Sequence, residues 1–286
     1  MTDPHRELAD FLRRARAARD PERAGLPADG RVRRVTGLRR EEIALLAGVS
    51  TDYYTRLEQG RRIIPSAQVL DAIARALDLD EAGRTHLRDL AAAAGAPRPR
   101  ARTTVQRVRP GLYQLLDTLE TQPALVLGRR TDVLAANRMA RALFTDFERL
   151  PARERNYARW MLLSEEARAL FLDWEQQARN AVESLRLDAG RTPDDPETHK
   201  LVGELSLASP EFRQWWSEHH VHQRTFGAKR LDHPIVGELT VDYETLTFPG
   251  DGEQALYIYT TAPGSPSREA MHLLATWTQP TANLPA

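Results

Sequence analysis

Cysteine is absent from the 286 residues of this chain, and no run of apolar residues approaches the length of a membrane-spanning helix. The first absence excludes disulfides, thiol catalysis and zinc sites built on cysteine. The second excludes a helix that crosses the bilayer, because such a helix needs about 20 apolar residues. The first 20 residues also lack an apolar segment followed by a cleavage site, so no export signal is indicated. We therefore expect a cytoplasmic protein without a membrane partner.

Lysine is scarce, since only Lys200 and Lys229 stand among the 40 cationic residues and all the others are arginines. The formal net charge is zero, but the charges are unevenly distributed along the chain. Residues 1–109 carry 22 Lys+Arg and 15 Asp+Glu, net +7, and residues 110–286 carry 18 and 25, net −7. A basic first part joined to an acidic second part indicates one domain that meets a polyanion and another with a different task.

Apolar residues recur at helical spacing in five segments of the first third of the chain, separated by glycines, prolines and capping serines. Gly48 is expected to end the second helix, and Ser50 to cap the third. A stretch rich in proline and arginine follows, which is typical of a linker. The predicted helices are 5–18, 39–47, 51–58, one that begins at Pro65-Ser66, and 80–94, and the predicted linker is 96–110.

The remainder of the chain, 111–280, mixes strands and helices. Two short apolar runs around Gly128 predict a hairpin that leads into a helix with Asn137 as its N-cap. Polar and apolar residues alternate after His233, and PGDG is expected to turn the chain between two extended runs. The helical middle, 152–222, has predicted helix starts at Ser164, Asp195 and Ser209, and a last helix is predicted over 267–277.

The segment GLRREEIALLAGVSTDYYTRLEQGRRIIPS, residues 37–66, reads as a helix, a tight turn, a second helix and a glycine stop. Small and apolar residues fall where a helix-turn-helix needs a close contact, a turn and a shared core. The segment resembles the DNA-binding domain of the phage-repressor (XRE) regulators. With the long arginine-rich connection before it, it is more specifically similar to the MmyB-like bacterial regulators, and this resemblance covers residues 5–94.

The resemblance implies that residues 50–58 form the recognition helix. Arginine can donate two hydrogen bonds to guanine, aspartate can accept one from cytosine, and a threonine methyl can touch thymine. Arginines beside the helix are natural partners of phosphates, although Arg61 and Arg62 could instead be only solvated. The predicted base-reading residues are Thr51, Asp52, Tyr53 and Arg56, and the predicted phosphate contacts are Arg33, Arg34, Arg39, Arg40, Arg61 and Arg62.

Other residues of the motif are expected to have structural roles. Tyr54 and Leu57 are predicted to be core, and the resemblance implies that Glu58 pairs with Arg16 of the first helix. Many phage-type domains begin their second helix with Ser or Thr followed by Gln, whereas this chain has two arginines there. The usual capping box is therefore expected to be missing, although Glu42 remains at the third helical position.

The second part resembles the ligand-binding domain of MmyB-like regulators through HPIVGELTVDYETLTFPGDGEQALYIYTTAPGSPS and SPEFRQWW. The resemblance implies a PAS-like α+β domain, an antiparallel sheet with helices over it, and a cavity for a small apolar or acyl-chain-like molecule. Large aromatic residues could line such a pocket or fill the core. The candidates are Trp160, Phe171, Trp174, Trp215 and Phe226.

An enzyme tethered to DNA is the alternative, because EHHVH places His219 and His222 at a spacing that could share a helical face and bind a metal. A third ligand is not evident, and HExxH, GxSxG, P-loop and GxGxxG motifs are absent from the sequence. We therefore expect no catalytic residues, no metal and no cofactor. The preferred interpretation is a nucleoid-associated, homodimeric transcription regulator on a palindromic operator, with a small-molecule effector and RNA polymerase as further candidate partners. A third interpretation is a regulator whose second domain only dimerises or contacts a protein.

Overall fold

The computed structural model describes residues 3–25, 37–95, 106–248 and 251–279. The chain divides into two compact units. The first unit consists of the described residues up to position 103 together with Arg186–Glu204 and Arg213–Gln223. The second unit consists of Thr104–Leu185, Leu205–Phe212 and the residues from Arg224 onward. The boundaries of the sequence domains, 1–95, 96–110 and 111–280, stay a prediction.

Five α-helices open the described part of the chain, as the sequence predicts. Side-chain caps start them where expected, since Ser50 accepts from the N–H of Tyr53 at 3.1 Å and Ser66 from that of Val69 at 3.3 Å. Gly48 ends the second helix with a left-handed φ of 66°, which glycine adopts without strain. The helices are α1 (Pro4–Ala18), α2 (Arg40–Ala47), α3 (Thr51–Glu58), α4 (Ala67–Ala76) and α5 (Glu81–Gly95).

One apolar core joins these five helices. Leu12, Ile43, Tyr54, Leu57 and Ile73 are each at most 2% exposed and belong to a single cluster of buried side chains. The predicted core positions on α3 are therefore confirmed. Because α3 is only eight residues long, it depends on this packing for stability, and the packing also determines which of its faces remains outside.

Helices and a five-stranded sheet follow in the rest of the described chain. The strands are β1 (Ala124–Leu127), β2 (Val133–Ala136), β3 (Phe226–His233), β4 (Gly237–Phe248) and β5 (Asp251–Thr260), in the order β2-β1-β5-β4-β3, and every pair is antiparallel. The helices are α6 (Pro110–Thr118), α7 (Arg138–Leu143), α8 (Tyr157–Leu163), α9 (Glu165–Leu170), α10 (Trp174–Arg191), α11 (Pro196–Ala208), α12 (Pro210–Glu218) and α13 (Pro266–Trp277).

The predicted starts of these elements are confirmed. Asn137 caps α7 by accepting from the N–H of Ala140 at 2.9 Å, directly after the β1–β2 hairpin. Ser164 and Ser209 cap α9 and α12 in the same way, and Asp195 stands directly before α11. Pro249 and Gly250 of the predicted PGDG turn lie outside the described residues. In the described part of the chain, no helix is long and apolar enough to cross a membrane.

Candidate nucleic-acid interface and ligand site

Helix α3 has two faces of opposite character. Its inner face carries Tyr54, Leu57 and Glu58, which are all buried. Its outer face exposes Thr51, Asp52 and Arg56, three of the four predicted base-reading residues. The burial of one face holds the helix against the unit, so the other presents side chains able to donate to guanine, accept from cytosine and touch a thymine methyl.

Tyr53, the fourth predicted base-reading residue, has a mixed environment. Its side chain is half-buried and packs against the apolar core of the five helices. Burial raises the pKa of its hydroxyl above the ordinary value. Tyr53 therefore has a packing role, whatever contact its exposed part makes.

Arg56 is paired with Asp52 on the exposed face of α3. The Arg56 Nε atom lies 3.1 Å from the Asp52 Oδ2 atom, and the two side chains are 59% and 73% exposed. Pairs at this spacing on a wet helix surface contribute only a few tenths of a kcal/mol. Arg56 can therefore exchange its carboxylate partner for another acceptor at little cost.

A buried carboxylate ties α3 to its neighbours. The Glu58 side chain is fully buried and accepts from Arg16 Nε at 2.5 Å, from Arg16 Nη2 at 3.2 Å and from Arg40 Nε at 2.6 Å. The expected Glu58–Arg16 pair is therefore confirmed, and Arg40 joins it, which the sequence did not indicate. Burial lowers the pKa of Arg16, but the hydrogen bond and charge of Glu58 outweigh it, so the pKa lies above its ordinary value.

The other predicted phosphate contacts lie around the motif. The backbone N–H of Arg39 donates to Glu42 Oε2 at 2.6 Å, so one half of the capping box is present even though the arginine side chain cannot supply the other. Arg40 keeps 46% of its side chain exposed beside Glu58. Arg61 and Arg62 are exposed directly after α3. Arg33 and Arg34 lie outside the described residues.

Two of the five aromatic residues predicted to line a ligand pocket pack against each other in the second unit. The rings of Trp160 and Phe171 meet edge to face at 5.9 Å, and both side chains are buried. Trp174 is half-buried and donates its indole N–H to the carbonyl of Met161 at 2.7 Å. Trp215 is buried in the first unit.

Phe226 does not line an enclosed pocket, because it is 71% exposed. Strand β3 alternates from Arg230 onward between outward residues and the buried Leu231 and His233, and Phe226 falls on the outward register. The ligand role of Phe226 stays a prediction, and the period-2 alternation of this edge strand places its side chain on the outward register.

Lys229 stands on the inward register of β3 and is only 5% exposed. Its Nζ atom donates to Gln177 Oε1 at 2.7 Å and lies 5.2 to 5.9 Å from the ring centroids of Tyr243, Phe171 and Tyr157. Burial, reinforced by the nearby positive charge of Arg224, lowers the pKa of this amine to about 7. A chain that uses arginine almost everywhere keeps a lysine at this buried position.

Three further polar groups near Lys229 are buried without a hydrogen-bond partner among the described residues. They are the Tyr157 hydroxyl, Asp173 Oδ1 and Arg224 Nη2. The Arg224 guanidinium lies 4.8 Å from the Tyr157 ring, and Asp173 accepts from Gln177 through its other oxygen at 2.9 Å. We call Lys229, Gln177, Asp173, Tyr157 and Arg224 the Lys229 centre.

Unpaired buried polar atoms are costly, so several in one place point to a missing partner such as a ligand or ordered water. No sequence motif indicated the Lys229 centre. Two signals were present: Lys229 is one of two lysines in the chain, and it shares the inward register of β3 with Leu231 and His233.

The histidines of EHHVH do not form the alternative metal site. Helix α12 ends at Glu218, and His219 follows with a left-handed φ of 59°, so His219 and His222 share no helical face. The Nδ1 atom of His219 lies 3.2 Å from Arg186 Nη1 and accepts its N–H. Within the described ranges, no group of three or more His, Asp or Glu residues could hold a metal ion.

Comparison with known families matches the two parts of the chain separately. The family model described as the MmyB-like transcription regulator ligand binding domain matches residues 108–274, and the model of a helix-turn-helix domain matches residues 7–87. No curated protein matches the chain. The first match covers more than half of the sequence, and the second contains α2 and α3 with their exposed arginine-bearing face. The chain is therefore a DNA-binding transcription regulator that belongs to the MmyB-like family.

Proposed function

We propose that this regulator binds a specific palindromic operator as a homodimer and that a small, largely apolar ligand in its second domain changes its affinity for DNA. The observation that carries the DNA-binding part is the asymmetry of α3. Tyr54, Leu57 and Glu58 hold the helix from inside, and Thr51, Asp52 and Arg56 remain outside. A helix held in this way can enter the major groove with its base-reading side chains in fixed positions.

Sequence reading and DNA affinity would come from different residues. Arg56 would donate to guanine O6 and N7, Asp52 would accept from cytosine, and the Thr51 methyl would touch thymine. Tyr53 would add a contact from its exposed part. The arginines around the motif would contact phosphates and set the register without reading bases. These are Arg33, Arg34, Arg39, Arg40, Arg61 and Arg62.

A symmetric dimer would present two copies of α3 to half-sites one helical turn apart, roughly 34 Å, so the operator would be an inverted repeat. The test is selection of bound duplexes from a random pool by the full chain at moderate salt, followed by footprinting. We expect enrichment of one inverted repeat. Failure to enrich any sequence, with binding that depends only on salt, would overturn the proposal.

The Lys229 centre supports a ligand in the second domain. A ligand with a hydroxyl or protonated carboxyl group could donate to Asp173 Oδ1 and accept from Arg224 and Tyr157, and its apolar part would lie against rings such as Trp160 and Phe171. A ligand changes DNA affinity only if it binds more tightly to one arrangement of the protein than to another.

Mass spectrometry of the purified chain under native conditions tests the ligand. We expect a co-purified small molecule that is retained by the unmodified chain and lost in Lys229→Met and Tyr157→Phe. Detection of dimers that carry no small molecule, with DNA binding unchanged in both variants, would favour a second domain that only dimerises or contacts a protein such as RNA polymerase. Transcription regulators are usually not enzymes, and we propose no catalytic residues.

A further inference from the structure

A buried arginine organises a polar cluster in the first unit. Arg186 is 5% exposed and lies 3.7 Å from the Glu7 carboxylate of α1, measured from Nη1 to Oε2. Its guanidinium donates to His219 Nδ1 at 3.2 Å and to the carbonyl of Trp216, and it stacks over the Trp216 ring at 4.0 Å. All four residues belong to the same unit.

A cavity of about 90 Å³ adjoins this cluster within the first unit. Empty cavities in proteins are normally apolar, whereas a polar cavity of this size has room for a small molecule or a few waters. The wall combines charged and polar side chains with apolar ones. Its polar members include Glu7, His86 and Arg186, and its apolar members include Leu90, Pro193 and Val202.

Two polar atoms of these lining residues lack a hydrogen-bond partner among the described residues. They are Nδ1 of His86, whose side chain is 2% exposed, and Nε of Arg186. The Arg186 Nε–H can only donate, and a neutral imidazole can donate from Nδ1 in one of its two tautomers. A molecule in the cavity that accepts two hydrogen bonds would satisfy both atoms.

The charges around the cavity favour an anion. Burial and the positive charges of Arg186 and Arg191 lower the pKa of His86 to about 3. Burial and the charges of Arg186 and Arg14 have the same effect on His219, whose pKa is also about 3. Both imidazoles are therefore neutral at ordinary pH, first because they are buried and second because the nearby arginines are positively charged.

We propose that this cavity is a binding site for a small monocarboxylate of the size of acetate or propionate. The carboxylate would accept from Arg186 Nε and His86 Nδ1, and the alkyl end would lie against Leu90, Pro193 and Val202. A cavity of about 150 Å³ holds benzene, so about 90 Å³ corresponds to roughly four non-hydrogen atoms. Arginine is the residue whose geometry best matches a carboxylate.

The carboxyl group of Glu7 lines the cavity and repels a bound anion while the carboxyl is ionised. Burial is the main influence on this carboxyl and raises its pKa above the ordinary value, although Arg186 acts in the other direction. Glu7 therefore takes up a proton more readily than an exposed glutamate. In its protonated form it can donate to the bound carboxylate instead of repelling it.

Thermal unfolding of the full chain tests the site, with sodium propionate as the probe. Sodium chloride at the same ionic strength controls for salt, and propionamide controls for shape without charge. We expect the Tm to rise with the logarithm of the propionate concentration above the Kd, by roughly 5 °C near 100-fold the Kd, and to stay unchanged with both controls. A Tm that does not rise with propionate, or an equal rise with chloride, would overturn the proposal.

Two variants locate the effect. Arg186→Met removes the donor, and Ala189→Leu fills the cavity from its half-buried wall without removing any charge. We expect propionate to have no effect on the Tm of either variant, and Ala189→Leu decides the matter if Arg186→Met does not fold. Leu207→Ala, at an exposed position of the second unit, is expected to keep the full response. Loss of the response in Lys229→Met alone would assign the effect to the Lys229 centre and refute the present site.

Discussion

Replacing Arg56 by alanine tests whether α3 reads bases. A bidentate contact from arginine to guanine discriminates by about 1–3 kcal/mol. In the free protein Arg56 is paired with Asp52 at 3.1 Å on an exposed surface, and giving up such a pair costs about 0.3–0.5 kcal/mol. The wild-type affinity already includes that cost, so we expect Arg56→Ala to weaken operator binding by about 0.5–2.5 kcal/mol.

The assay is fluorescence anisotropy with the selected operator and with a duplex of random sequence, both at one fixed salt concentration. The loss for Arg56→Ala should be largely confined to the operator, and base preference should relax at one position in each half-site. Arg61→Ala is the matched control, since Arg61 is exposed beside the same helix. It should weaken both duplexes equally and reduce the salt dependence by about one phosphate contact.

Asp52→Asn separates the two roles of the acidic partner. If Asp52 only pairs with Arg56, the substitution should tighten binding to both duplexes slightly, because a charge that repels phosphates is removed. If Asp52 accepts from cytosine, Asp52→Asn should instead change the preferred base at one position.

Equal losses on operator and random DNA for Arg56→Ala would refute the assignment of Arg56 as a base-reading residue.

Three further predictions concern stability. Glu58→Gln should lower the free energy of unfolding by about 3 kcal/mol, because it leaves a buried arginine uncompensated, and a loss in urea titrations below about 1 kcal/mol would contradict this. Folding lowers the pKa of Lys229 from 10.5 to about 7, so the unfolded chain binds the extra proton between these values and stability should rise with pH across that window. The rise should be absent in Lys229→Met, and parallel pH profiles for the two proteins would show that this lysine is not the cause. Gly190→Ala should destabilise by about 1–3 kcal/mol, since the added methyl overlaps the ring of His86. Gly203→Ala is the matched control, because Gly203 lies in a helix with open space around it, and it should stabilise by about 0.5–1 kcal/mol. A change in the free energy of unfolding with the same sign in both variants would contradict this packing.

Much of the α3 interface was predictable because its determinants are local. Caps, glycine stops and helical spacing depend on neighbouring residues, so Ser50, Gly48 and the exposed positions of α3 could be located from the pattern alone. The Glu58–Arg16 pair joins two helices distant in sequence, and it was expected only through the resemblance to repressors. Participation of Arg40 in that pair was not predictable, because it depends on how closely three helices approach.

The candidate ligand residues, in contrast, could not be predicted from local sequence patterns. Aromatic content alone did not distinguish Phe226, which is exposed at the edge of the sheet, from Phe171, which is buried beside Lys229. The position of Phe226 is decided by strand register, which is set by pairing with β4, whereas Phe171 follows α9 and meets the sheet through a bridge to Leu231. The same holds for Lys229 itself, whose partners Gln177 and Tyr157 come from α10 and α8.

The sequence by itself determined the two-part organisation, the five opening helices, the helix-turn-helix and the residue types on the outer face of α3, since each depends on local spacing and charge. Only the tertiary structure decided that a lysine, an aspartate, a tyrosine and an arginine meet in one buried centre. It also decided that Arg186 and His86 border one cavity although 100 positions separate them in the chain. Such groups become neighbours only when packing brings distant segments together, and no local pattern records that approach.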